Sequence, residues 1–154
     1  MSKRVIQFLK DKGIDFEVRE YLHEEKGARF ASSAMGFPIE KTIKTLVVDV
    51  AAKGDLLVLM PGDCKLNLKQ LAKLLGSERA AMVDKHTAEC LTGYLLGGIS
   101  PFCTKTRLPV VMEENLLEHD KVAVNAGQRG VMLIISPRSI VSVTNCQILK
   151  LSRE

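Results

Sequence analysis

Apolar residues recur along this chain with two periods, and the switches between them mark its elements. Val5, Ile6 and Leu9 share one helix face, with Ser2 placed to cap the start and Gly13 to end it. Ile14, Phe16 and Val18 then alternate with charged residues, the pattern of a half-buried strand running to Tyr21. Residues 24–35 read as a short helix with Ala31, Ala34 and Met35 as its apolar positions and Gly36 as its stop. Two apolar runs, residues 45–50 and 56–60, flank Ala52-Lys53-Gly54-Asp55 and predict a hairpin.

Further along, Asn67 and Gln70 resemble a capping box ahead of Leu68, Leu71, Ala72 and Leu75, a helical series that Gly76 stops. A brief strand at residues 80–83 precedes Asp84, which can cap a helix reaching Gly93. Strands are predicted at residues 110–112, 122–124, 131–135 and 147–151, with a short helix opening at Ser136-Pro137. Helices and strands are intermixed without a regular βαβ period. That favours an α+β or mixed-sheet domain over a doubly wound parallel fold. No linker, repeat or low-complexity segment divides residues 1–154, so one domain is expected.

Bulk composition changes this picture little. The chain has 154 residues, 46% hydrophobic and 26% charged, which is ordinary for a globular domain with a real core. A net charge of +4 permits a polyanionic partner and does not demonstrate one. Cys64, Cys90, Cys103 and Cys146 form no Cys-x-x-Cys pair, so neither a zinc site nor any other metal or cofactor is expected. His86 and Cys90 are four apart and can share a helix face, but two ligands do not make a site. No secretory signal or membrane-length apolar run is visible, and reduced thiols in a cytoplasmic protein are expected.

Candidate chemistry centres on Gly93-Tyr94-Leu95-Leu96-Gly97-Gly98-Ile99-Ser100-Pro101. A Gly-Gly pair among apolar residues serves either a sharp turn or a close approach of backbone to a ligand, with bare N–H groups facing an oxyanion. Lys44 stands at the mouth of a buried strand, where it either snorkels to water or points its ammonium into a pocket. Asn125-Ala126-Gly127-Gln128-Arg129-Gly130 is a turn-forming run that also offers an amide side chain. Tyr21 and His23 close the second element.

The order Lys44-Thr45-Leu46, Gly62-Asp63, Thr92 to Pro101 and Gly127-Gln128-Arg129-Gly130 resembles the YbaK family. These are free-standing aminoacyl-tRNA deacylases related to the editing domain inserted in bacterial prolyl-tRNA synthetase. The branch most like this chain acts on Cys-tRNA(Pro) and Cys-tRNA(Cys). The resemblance implies a mixed, mostly antiparallel sheet closed into a distorted barrel with flanking helices. It implies mischarged tRNA(Pro) as substrate, prolyl-tRNA synthetase as a possible partner, and no membrane. By the same resemblance Lys44 positions the substrate near its terminal adenosine, and the backbone of Gly97, Gly98 and Ile99 meets the aminoacyl carbonyl. Tyr21, Tyr94, Asn125 and Gly127 would surround the substrate. Apart from the resemblance, Lys105 and Arg107 beside the glycine loop and Lys41 near Lys44 either contact tRNA phosphates or form a solvated basic face. Serine stands at the Asn125 position in the Cys-tRNA(Pro) deacylases, a departure that bears on which amino acid is removed.

Ester cleavage needs a nucleophile and a place for the developing oxyanion. In the family no side chain attacks; the substrate's own thiol, a water or a ribose hydroxyl does. Two other readings remain open at the level of sequence. One is a cysteine hydrolase pairing Cys90 or Cys103 with His86 or His119. The other is a module that binds tRNA or a synthetase without turnover.

Overall fold

The structure is a computed structural model that describes residues 2–151. Helix α1 (Ser2–Asp11) buries Val5 and Leu9, as its spacing predicts. Strand β1 (Phe16–Glu20) follows, then α2 (Ala28–Met35), which starts later than the sequence suggests. A 3₁₀ turn (Ile39–Lys41) leads into the β2 (Ile43–Val50) and β3 (Gly54–Pro61) hairpin. Helix α3 (Leu68–Leu74) is capped by the Asn67 side chain, which accepts from the Gln70 N–H at 3.1 Å. After β4 (Ala80–Met82), Asp84 caps α4 (Lys85–Thr92) by accepting from the Thr87 N–H at 2.7 Å.

A long irregular segment then crosses to β5 (Val110–Glu113) and a 3₁₀ turn (Glu114–Glu118). The chain finishes with β6 (Val122–Gln128), β7 (Val131–Ile135), α5 (Pro137–Thr144) and β8 (Gln147–Leu149). The last strand is shorter than expected because Leu151 leaves the ladder. Its N–H donates to buried Glu113 at 2.7 Å, and its carbonyl accepts from Asn67.

The strands form two sheets, ordered β1-β7-β6 and β4-β2-β3-β5-β8. Pairing is antiparallel except for β3 with β5 and β5 with β8. The α+β class and the mixed, mostly antiparallel pairing are therefore present, but neither sheet closes into a barrel. Among the described residues the sheets meet through a single isolated bridge, Thr42 with Ala123. Beyond it, β6 bulges between Asn125 and Gln128. There the Asn125 side chain takes the N–H groups of Gly127 and Gln128, which are then lost to a ladder with β2.

One core fills the space between the sheets, joining Val47, Leu57 and Leu59 to Val124, Leu133 and Ile135. A second lies under α3, on the other face of β2 and β3, around Val48, Val58 and Leu71. Strand β3 is thus buried on both faces, which is why it reads as an unbroken apolar run. Each such side chain contributes about 1.5–3 kcal/mol.

Candidate active site

A cleft of about 330 Å³ opens where the two sheets part. Such a volume sits at the small end of ligand sites, roughly 300–1,000 Å³. Ile43, Lys44, Thr45 and Leu46 of β2 form one wall, and Lys26, Gly27, Ala28 and Ala31 at the start of α2 form another. Leu96, Gly97 and Ile99 face them from the glycine loop, with Tyr21, Asn125 and Met132 completing the lining.

Lys44 brings the cleft its distinctive charge. Burial pushes its ammonium below the usual lysine range, Cys64 and Asp63 oppose that shift, and Arg29 and Lys65 add to it. Asp63 arrives because the hairpin sets Ile43 against Pro61, two residues before it. Even so, among the described residues the sole ion pair is Arg19–Glu17, at 3.1 Å on the surface. Lys44 is therefore a partly desolvated cation without a carboxylate on it, the kind of group found where a ligand supplies the missing charge. Tyr21 also lines the cleft, and burial raises its phenol pKa.

The glycine loop holds a turn in which the Gly98 N–H donates to the Leu95 carbonyl at 2.8 Å. Gly97 sits at its third position with φ 92°, the positive value a type II turn requires there. Gly98 answers a different need. A Cβ at Gly98 would stand 2.9 Å from the Arg129 nitrogen and 3.2 Å from the Gln128 carbonyl carbon. The close approach that excludes a side chain is thus to the β6–β7 hairpin. The Gly98 N–H is spent in the turn, so within Gly97-Gly98-Ile99 the amides without a partner among the described residues are those of Gly97 and Ile99.

Asn125 braces this arrangement. Its Oδ1 accepts from the Gly127 N–H at 2.7 Å and the Gln128 N–H at 3.1 Å, and its Nδ2 donates to the Gly97 carbonyl at 3.3 Å. Both acceptor lone pairs are used, leaving one N–H for anything in the cleft.

Lys44, Gly97, Ile99, Tyr21 and Asn125 thus converge on one cavity, and the other expected site residues lie elsewhere. Tyr94 is buried, its hydroxyl donating to the carbonyls of Phe102 and Cys103. Gly127 packs against the Tyr94 ring rather than lining the cleft. Lys105 borders a separate concavity with Arg4 and Cys103, and Arg107 lines a groove beside Lys53 and Pro109. Lys41 ends the 3₁₀ turn before β2 and does not reach the lining.

The structure does pair Cys90 with His86, at 3.5 Å, but on an exposed face of α4 outside the cleft. Burial raises the Cys103 thiol pKa, which works against a thiolate, and His119 merely closes the second 3₁₀ turn. Sequence reasoning missed Lys26 and Met132 in the lining, and Arg129, whose Nε–H donates to the Leu96 carbonyl at 2.7 Å. Arg129 belongs to the turn-forming run Asn125 to Gly130. Lys26 follows two glutamates and fell within the helix expected over residues 24–35, outside its apolar positions.

The family model described as an aminoacyl-tRNA editing domain matches residues 23–142. EbsC of Enterococcus faecalis, named as a Cys-tRNA(Pro)/Cys-tRNA(Cys) deacylase, is 31% identical over 81% of this chain and 76% of its own. ProXp-y of Escherichia coli, named as a multifunctional Ser/Thr-tRNA deacylase, is 28% identical over 98% of this chain and 92% of its own. A crystal structure named as a trans-editing enzyme for prolyl-tRNA synthetase superposes with a TM-score of 0.87 at 27% identity, covering 99% of this chain and 98% of that one.

Proposed function

The chain belongs to the aminoacyl-tRNA editing domain family, and from that premise we propose that it is a free-standing deacylase cleaving mischarged tRNA, with Cys-tRNA(Pro) preferred. One observation carries the reading. A small, mostly apolar cleft holds an unpaired cation, Lys44, opposite the amides of Gly97 and Ile99, while among the described residues no histidine, cysteine or carboxylate lines it. Thr45 offers a hydroxyl, but among the described residues no histidine or carboxylate stands in the lining to activate it.

In this reading Lys44 holds the 3′-terminal nucleotide, and the amides of Gly97 and Ile99 take the ester carbonyl as it becomes an oxyanion. The attacking group is the substrate's own thiol, a water or a ribose hydroxyl. When water attacks, its oxygen bonds to the carbonyl carbon and the ester C–O bond breaks. The amino acid leaves as a carboxylate and the ribose hydroxyl regains a proton. Catalysis then rests on positioning and on fixed dipoles. Apolar neighbours such as Ala31, Ile43 and Met132 suit a compact, weakly polar side chain such as that of cysteine. Acting in trans to prolyl-tRNA synthetase, such a site corrects a proline pocket that separates similar volumes poorly, since one methylene is worth about 1–3 kcal/mol.

The test is release of labelled amino acid from Cys-, Ala-, Ser-, Thr- and Pro-tRNA(Pro). Fast loss from Cys-tRNA(Pro) alone is expected. Preference for the seryl or threonyl esters would align the chain with ProXp-y, and preference for alanyl would move the specificity again. Protection of every ester would mean a binding module. Full activity in a Cys90→Ala protein is also expected, and its loss would favour the Cys90–His86 pair.

A further inference from the structure

We infer that Arg129 is a positioning residue: its guanidinium fixes the Leu96–Gly97 peptide so that the Gly97 N–H faces the reacting carbonyl. The inference rests on the deacylase reading above. In the turn from Leu95 to Gly98 the central peptide is the one between Leu96 and Gly97. A type II turn differs from type I by a flip of this peptide, which exchanges the faces on which its C=O and N–H emerge. Gly97 tolerates both outcomes, because glycine adopts either sign of φ.

Arg129 makes the choice. Its Nε–H donates to the Leu96 carbonyl at 2.7 Å, and a flip would break that charge-assisted bond. In a trans peptide the N–H points opposite the C=O, so holding the Leu96 carbonyl toward Arg129 turns the Gly97 N–H to the other side. The same residue grips the loop a second time. Its backbone nitrogen abuts Gly98, and its Nε lies 3.3 Å from where a Cβ on Gly97 would stand. Asn125 secures the next carbonyl, that of Gly97, at 3.3 Å. The two side chains of the β6–β7 hairpin therefore set consecutive peptides of the cleft wall.

The experiment compares wild type, Arg129→Met and Arg129→Lys on Cys-tRNA(Pro), in single turnover and across a salt series. Methionine keeps the aliphatic bulk and loses the donor; lysine keeps charge and a donor. We expect kcat to fall at least about tenfold in Arg129→Met, given that losing a whole oxyanion donor costs about 10²–10³. KM and the salt slope should hold, and Arg129→Lys should regain part of the rate. A raised KM with unchanged kcat, and a salt slope shallower by about one, would make Arg129 a phosphate contact and overturn the inference. So would two unchanged constants. Inactive wild type would sink the deacylase reading instead. The Gly97 amide resonance then decides the positioning role: it should move in Arg129→Met while the Gly127 amide, held by Asn125, stays. An unmoved Gly97 resonance would overturn the inference.

Discussion

Lys44 sits where a charge is disfavoured and receives no ion pair in return. Its folded pKa is below the ordinary 10.5, so between the two values the unfolded chain binds more protons. Stability therefore rises with pH across that window, and at neutral pH the group's full cost is present. Replacing it with methionine, which keeps an unbranched apolar stem, should raise the urea midpoint at neutral pH. The advantage should shrink as pH approaches 10.5. The same variant should lose most deacylation, the usual exchange when a strained functional group is removed. A Lys44→Met protein that is less stable at neutral pH would mean the fold already pairs the ammonium. Full activity would remove Lys44 from the site. This residue was legible in the sequence because a lysine at the mouth of an apolar strand is a conspicuous break in pattern. Asn125 was legible as polar but not as a brace, since its partners Gly97, Gly127 and Gln128 are fixed only by the tertiary fold.

At the level of elements, the caps at Asn67, Asp84 and Ser136 were readable because capping is a local exchange of hydrogen bonds. The extension of β6 through Gln128 was not, because the bulge depends on one side chain satisfying two amides. Barrel closure failed at the same place. The glycine pair shows the contrast within two residues: Gly97 answers a backbone angle, Gly98 a neighbour brought in from the hairpin. Gly98→Ala tests that neighbour. Its φ suits alanine, but the new Cβ meets backbone at 2.9 Å, and backbone yields less readily than a side-chain tip. Loop and hairpin must part by a few tenths of an ångström, so we expect deacylation to drop about tenfold or more with only a small change in melting temperature. An unaltered rate would show that the loop's position against the hairpin does not matter for chemistry.

Across the whole molecule, the cleft exists because two sheets share a core yet, among the described residues, pair at only one bridge, leaving a gap walled by both. No local signal in the chain states where such a gap falls. This explains why Lys26, remote in sequence from both Lys44 and Gly97, escaped notice until α2 was placed beside them. The same architecture separates two sets of cations. Lys26 and Lys44 line the cleft and Arg29 acts on Lys44, whereas Lys105 and Arg107 border other surfaces. A single-stranded 3′ end held by those three inner cations should give a log–log salt slope near −2, since each phosphate neutralised contributes about −0.7. Full-length tRNA should be steeper, with Lys105 and Arg107 touching its duplex stem at about −0.9 each. Replacing that pair with alanine should make the slope for intact tRNA shallower by nearly two, raise KM and leave kcat alone. The slope for a short aminoacylated CCA end should not move. If the pair changes neither substrate, tRNA is held by the cleft and its rim alone, and the basic balance of the chain is ordinary surface charge.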